Sequence, residues 1–186
     1  MNNENTSLLD AALGVFLRYG FKRTTMGDIA KAAHISRPTL YARYANKDDI
    51  FAAVFTLHVD RTLTALKAAW VDCETLSQKL DCLWAISILP SFEMITQHPD
   101  ASDIIEGSDT PAGQQAMISA ARQVVAAFSG VLAPYEAALN ARGQTGDQVA
   151  FFVEQSKFMM LRTAKSPDDL KQQFSTLKAA VLALTS

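Results

Sequence analysis

The stretch Thr24 to Asp49, TTMGDIAKAAHISRPTLYARYANKDD, holds two short helical patterns separated by a turn too tight for them to run on as one helix. Thr25 offers a hydroxyl to cap the first, with Asp28 three residues later as the carboxylate of a capping box. Ile29 and Ala32 or Ala33 recur at helical spacing, His34-Ile35 forms the turn, and Ser36 caps the second helix. That helix carries Arg37, Pro38, Thr39, Leu40, Tyr41, Arg43 and Tyr44. Proline costs little in a first turn, where the amide has no intrahelical partner. Asn46 with Asp49 repeats the cap-and-carboxylate pattern and opens a third helix. This is a helix-turn-helix, whose second helix fits the major groove of DNA. Leu40 and Tyr44, four apart, claim its inner face and turn Tyr41 outward.

Upstream, Met1 to Asn5 reads as a frayed polar arm, and Thr6 or Ser7 as the cap of a helix reaching about Tyr19. Gly20, free to adopt positive φ, stops that helix. Phe16, Phe21, Ile29, Ile35, Leu40 and Tyr44 close a core small enough to need support from the next helix. Downstream, the pattern capped by Asn46 runs through Ile50, Phe51, Val54 and Leu57 to about Trp70 without Gly or Pro, as a mechanical link into the body. A second long helical pattern spans 75–97, with a kink expected at Pro90. A short helical turn follows at 101–106, then the linker GSDTPAG at 107–113, then a helix from Gln114 to about Ala141. Asp147 reads as the cap of a helix to about Ala164, and Ser166-Pro167-Asp168-Asp169 opens the last helix, to about Leu184. No strand pattern competes. The expected fold is all-α with about nine helices: a three-helix helix-turn-helix domain over 1–50, then a larger helical bundle over 51–186.

Nearly half of the 186 residues, 49%, are apolar, enough for a substantial core. The net charge of -2 hides an uneven distribution. Arg18, Lys22, Arg23, Lys31, Arg37, Arg43 and Lys47 face Asp28 alone between residues 18 and 47, whereas acids outnumber bases from Asp48 onward. A basic module on an acidic body directs the first part alone toward a polyanion. Cys73 and Cys82 are too few for a disulfide framework or a structural metal site and read as free, at least semi-buried thiols. No signal-peptide pattern and no apolar run near the ~20 residues of a membrane span is evident, so a cytoplasmic location is expected.

Over residues 7 to 55 the chain resembles the TetR family of bacterial transcriptional regulators. The resemblance rests on Tyr19-Gly20-Phe21, Thr24-Thr25, Asp28-Ile29-Ala30, Ser36, Thr39-Leu40-Tyr41, Tyr44, Asn46-Lys47 and Ile50-Phe51 at their spacing. It implies a homodimeric DNA-binding regulator, most often a repressor that leaves its operator when a small effector binds the C-terminal domain. It also implies that Arg37 reads base edges and that Pro38, Thr39 and Tyr41 face the groove. Arg43 and Lys47 match phosphate contacts, and Thr25 and Ser36 mark the helix starts near the DNA backbone. An arginine at position 37 suits guanine O6 and N7. Two residues depart from the pattern: His34 stands where the family usually has glycine, and Gly27 lies inside a helix, at a cost of about 0.5–1 kcal/mol.

A half-site per recognition helix calls for a two-fold homodimer and a palindromic or near-palindromic double-stranded operator. Its expected interface is the last two helices, through Val149, Phe152, Val153, Phe158 and Leu161 on one and Leu170, Phe174, Leu177, Val181 and Leu184 on the other. Trp84, Phe92, Phe128 and Phe152 are candidates to line a cavity for an apolar or aromatic effector. No nucleotide-cradling glycine loop, catalytic triad or metal-ligand spacing is present, so neither enzyme activity nor a cofactor is expected. The alternative is an architectural or protein-interaction factor that binds DNA and senses nothing.

Overall fold

The computed structural model of the chain describes residues 3–98 and 109–186. The helical turn expected over 101–106, and the Gly107-Ser108 start of the linker, lie outside them. All regular structure among the described residues is helical: α1 (Asn3–Arg23), α2 (Met26–Ala32), α3 (Arg37–Tyr41), α4 (Lys47–Val71), α5 (Leu76–Leu83), α6 (Leu89–Thr96), α7 (Pro111–Leu132), α8 (Glu136–Ala141), α9 (Gly146–Thr163) and α10 (Pro167–Leu184). They fall into two compact units, Met1–Arg61 with Met94–Ala120 and Thr62–Glu93 with Ala121–Ser186.

The first unit is built on α1 and the first turns of α4. Leu9, Ala12, Phe16, Phe21, Ile29, Leu40, Ile50, Phe51 and Val54 are buried together, and Ile35 and Tyr44 pack at the margin. Phe16, Phe21 and Phe51 meet with ring centroids 5.3–5.7 Å apart, two of the three pairs edge-on, the arrangement that aromatic quadrupoles favour. Gly20 has φ 76° and breaks α1, and Phe21 to Arg23 add a short further turn. The arm expected to fray is helical from Asn3. Two tethers hold it: Arg43 pairs with Glu4 at 3.2 Å, and the Tyr44 hydroxyl donates to Asn5 Oδ1 at 3.1 Å.

α2 ends on a Schellman motif. The His34 amide donates to the Lys31 carbonyl and the Ile35 amide to that of Ala30, with His34 at φ 54°. α8 ends the same way, with Gly143 at φ 69° and its amide on Asn140, followed by Gln144 on Leu139. The body thus uses glycine for the geometry that the small unit imposes on a histidine.

The second unit buries Leu66 and Trp70 of α4 with Leu80, Ile88, Phe92, Phe128, Leu132, Leu139, Val153, Leu170, Phe174 and Val181. Pro90 has no N–H for the helical ladder, and the chain absorbs this in a π-turn at Trp84–Ile88, where the Leu89 amide reaches back to the Trp84 carbonyl. Three expected boundaries shift. α7 starts at Pro111 rather than Gln114, because Thr110 caps it through the Gly113 amide. Pro134 ends it by forcing a 3-10 turn at Ala133–Tyr135, so the run to Ala141 is two helices. Thr145, in a capping box with Gln148, starts α9 in place of Asp147, whose carboxylate instead accepts from Ser129 Oγ. By length and composition Pro111–Ala141 is apolar enough to cross a bilayer, with an 18-residue window of mean hydropathy 1.5, against the expectation that no run approaches that length. Its Phe128, Val131 and Leu132 belong to the second core.

The left-handed conformation costs a side-chain-bearing residue about 1–2 kcal/mol, partly offset by the greater freedom of glycine in the unfolded chain, about 0.5–1 kcal/mol. His34→Gly should therefore raise unfolding free energy in urea by about 0.5–1 kcal/mol, and Gly143→Ala should lower it by about 1 kcal/mol. A loss of stability in His34→Gly would show that the histidine ring contributes more than its backbone costs.

Candidate nucleic-acid interface

Each helix of the motif starts on a side-chain cap, reciprocal at α2 alone. The Thr25 hydroxyl accepts from the Asp28 amide, while Asp28 Oδ2 accepts from the Thr25 amide at 3.0 Å and hydroxyl at 2.6 Å. Those two bonds, with Arg37 and Lys31 nearby, hold the Asp28 carboxyl below the usual carboxylate range. Ser36 Oγ accepts from the Thr39 amide and shares a 2.7 Å bond with the Thr39 hydroxyl. Leu40 is fully buried, and this one anchor fixes which side of the five-residue α3 faces solvent.

Arg37, Pro38 and Thr39 are exposed, and so is Tyr41, at 53%. They form one continuous outward face. The Arg37 guanidinium lies against the backbone of α2 at Gly27, where an added Cβ would come within 3.0 Å of its Cζ and Nε. Gly27 therefore has a packing reason that its helix-weakening character hides in the sequence: it leaves the space in which Arg37 rests. Sequence reasoning missed this residue as part of the interface because the link between α2 and α3 is tertiary.

Lys47 is placed differently from the rest. Its Nζ donates to the carbonyls of Phe21, Lys22 and Thr24 at 2.8, 3.0 and 3.3 Å and lies 4.6 Å from the Phe21 ring centroid. An ammonium has three donors, and all three are directed at carbonyls that the broken end of α1 leaves open. Arg43 is shared with Glu4 in an exposed pair, an interaction weak enough to exchange for a phosphate.

The candidate effector residues do not converge. Phe128 lines a cavity of about 10 Å³ with Leu63, Leu66, Trp70, Leu83 and Val153, room for about one water molecule. Phe92 is buried but outside that lining, and Trp84 stacks on Phe174 at 5.1 Å. Phe152 is 52% exposed and outside that lining as well: with Val149, Ala150 and Val153 taking the inner side of α9, its direction on the helix points it out. Among the described residues, no group of three or more His, Cys, Asp or Glu side chains could hold a metal ion.

Gly27→Ala should leave the fold as stable or slightly more so, since alanine gains about 1 kcal/mol over glycine in a helix. It should also displace Arg37 and weaken duplex binding by roughly 2- to 10-fold, the effect of unfixing one long side chain. Urea unfolding and fluorescence anisotropy on the same preparation separate the two effects. Equal affinity in the variant would show that the Arg37 position is immaterial to binding.

The sequence model of the "bacterial regulatory proteins, tetR family" matches residues 8–54. HTH-type transcriptional repressor ComR of Escherichia coli (strain K12) is 34% identical over 74 residues, 40% of this chain and 35% of that protein. An uncharacterized HTH-type transcriptional regulator of Mycobacterium bovis is 29% identical over 125 residues, 66% of each chain. The chain thus spans between about a third and just under two thirds of the length of these relatives. The solved structure of the fatty acid degradation regulator FadR of Bacillus halodurans superposes with a TM-score of 0.72 at 14% identity, covering 98% of this chain and 96% of that one, a likeness of fold. The matched segment coincides with the capped helices and the outward face of α3, and over residues 8–54 the chain is similar to the bacterial regulatory proteins of the tetR family.

Proposed function

We propose that the chain is a sequence-specific DNA-binding transcriptional regulator, non-enzymatic and cytoplasmic, acting as a two-fold homodimer on a palindromic or near-palindromic operator. The observation that carries this reading is the outward face of α3, where Arg37, Pro38, Thr39 and Tyr41 are exposed above a buried Leu40. In this reading Arg37 pairs with a guanine, Thr39 and Tyr41 contact neighbouring bases or phosphates, and Arg43 trades Glu4 for a phosphate. Thr25 and Ser36 hold the two helix starts near the backbone. Lys47 supplies positive field while its donors hold the end of α1.

The dimer surface is reassigned within the same two helices. Val149, Val153, Leu170, Phe174, Leu177 and Val181 are buried in the chain's own core. The exposed apolar residues of α9 are instead Phe151, Phe152, Phe158 and Met159, at spacings that put them on one face. The exposed face of α10 carries small side chains, among them Ser175, Ala179, Ala180 and Ala183. Large residues of α9 from one protomer packed over small residues of α10 from the other give a four-helix interface.

Selection from a random duplex pool should enrich one sequence with two half-sites about one helical turn, or a multiple of it, apart. Arg37→Ala should cost about 1–3 kcal/mol and relax one base pair in each half-site. Phe152→Asp should leave the fold intact, sediment as a monomer and bind single half-sites alone. Enrichment of no sequence would end the DNA-reading proposal, and a dimeric Phe152→Asp would move the interface elsewhere.

A ligand-released repressor is the finer reading. It is favoured by the apolar lining of the small cavity and by α4, one helix whose first turns are buried in the DNA-binding unit and whose last turns wall that cavity. A cavity of about 10 Å³ takes no effector as it stands; drug-sized ligands need about 300 Å³ or more. Binding must therefore open it by moving Trp70 and Phe128, and that displacement at the C-terminal end of α4 is the lever. A 100-fold preference of the effector for the opened state supplies about 2.7 kcal/mol. An apolar compound that weakens operator binding should be blunted by Phe128→Trp, which fills the space. If no compound from a broad apolar panel changes operator affinity, the architectural reading replaces sensing while DNA binding stands.

A further inference from the structure

The two cysteines, nine positions apart, lie with their sulfurs in contact. Cys73 Sγ and Cys82 Sγ are 3.5 Å apart, and both side chains are half-buried free thiols. The contact is held from both sides. Cys73 is bound to the last turn of α4 twice, its amide donating to the Trp70 carbonyl and its thiol to that of Ala69 at 3.3 Å. Cys82 stands in α5, whose start is locked by the Thr75–Gln78 capping box, with Gln78 Oε1 also accepting from the Glu74 amide. The Trp70 indole donates to the Lys79 carbonyl at 3.0 Å and ties the two helices together between the cysteines.

We infer that Cys73 and Cys82 form a reversible thiol–disulfide site, closed within the chain by a hydroperoxide and reopened by a dithiol reductant. The sulfurs must approach from contact to a bond length of about 2.05 Å, a shift within reach of side-chain rotation on two anchored backbones. Their enforced proximity replaces a bimolecular encounter with an intramolecular step. Burial, followed by the neighbouring Cys73, pushes the Cys82 thiol up from its ordinary value, which disfavours Cys82 as the first nucleophile. The Cys73 thiolate attacks one peroxide oxygen, the O–O bond breaks, and a sulfenic acid and hydroxide form. Cys82 sulfur then displaces the hydroxyl from that sulfenic sulfur, giving the disulfide and water. In balance, two thiols lose two electrons and two protons, and one hydroperoxide becomes two waters, or water and an alcohol.

Oxidation would fix the α4–α5 turn beside Trp70, which walls the small cavity. The site does not depend on the DNA-binding reading, and its test uses no DNA. The full chain is treated with a molar excess of hydrogen peroxide, remaining thiols are alkylated, and intact and digested masses are read without reductant. The expected result is a chain two hydrogens lighter that takes up no alkylating group, a cross-linked 73–82 peptide, a change in tryptophan emission, and full reversal by dithiothreitol. Cys82→Ser should accumulate a Cys73 sulfenic acid trapped by a 1,3-dione, which the unmodified chain should not. Thiols that stay alkylatable, a bridge between two chains, or stepwise oxidation to sulfinic acid without the internal cross-link would each overturn the assignment. The mass readout on the unmodified chain stands even if a serine variant fails to fold.

Discussion

Helices of seven and five residues have no stability of their own in water, yet α2 and α3 carry the whole outward face attributed to DNA. Their geometry is borrowed. Phe16 and Phe21 from the two parts of α1 close on Phe51 of α4, and this aromatic cluster joins the longer helices into a frame. Ile29 and Leu40, both buried to 0% exposure, pin one short helix each to that frame. Two such anchors fix two helices only because the Thr25–Asp28 capping box, the Schellman turn after α2 and the Ser36 cap have already settled where α2 begins and ends and where α3 begins.

The polar residues of this unit divide between holding and presenting. Gly20 lets α1 bend sharply, and the bend leaves the carbonyls of Phe21, Lys22 and Thr24 open; Lys47 collects all three. A phosphate could recruit that ammonium only by releasing carbonyls at the seam between α1 and α4, an exchange that costs hydrogen bonds to a charged group, each worth about 1.5–3 kcal/mol. Arg61, in turn, makes a two-point contact with Asp10 and holds its carboxyl below the ordinary range. In the proposed reading, Arg37, Thr39, Tyr41 and the weakly paired Arg43 are the side chains free to turn toward DNA.

How much of this was legible in the sequence follows from the range of each interaction. Thr25 with Asp28, Ser36 before Arg37-Pro38, Asn46 with Asp49 and Ser166 before Pro167 are bonds across three or four residues, and the chain declares them locally. The positive φ at His34 was hinted at only by the family resemblance, which usually has glycine at that position. The space at Gly27 was not, because its occupant comes from a different helix. Nor was the ordering of Asn3 to Asn5, which depends on Arg43 and Tyr44 some forty residues away. Competing caps also mislead: Asp147 and Thr145 are both good starts, and the choice fell to Thr145 because its partner Gln148 completes a box while Ser129 engages Asp147.

The aromatic residues of α9 show where composition stops being informative. Val149, Ala150, Val153 and Met160 fall on one side of the helix and enter the core, while Phe151, Phe152, Phe158 and Met159 fall on the other. A helix apolar on both sides satisfies one of them within its own chain and leaves the other to a second partner. Adjacent Phe151 and Phe152 are both outward, so hydrophobicity alone cannot rank them as cavity lining; the inward set is decided by the spacing of the smaller branched residues. The bulky exposed side chains of α9 and the small exposed side chains of α10 are complementary in volume, and the proposed two-fold axis would bring each against the other twice. That complementarity argues for α9 and α10 as an interface between copies, and leaves Trp70 and Phe128 as the pair on which any opening of the interior would depend.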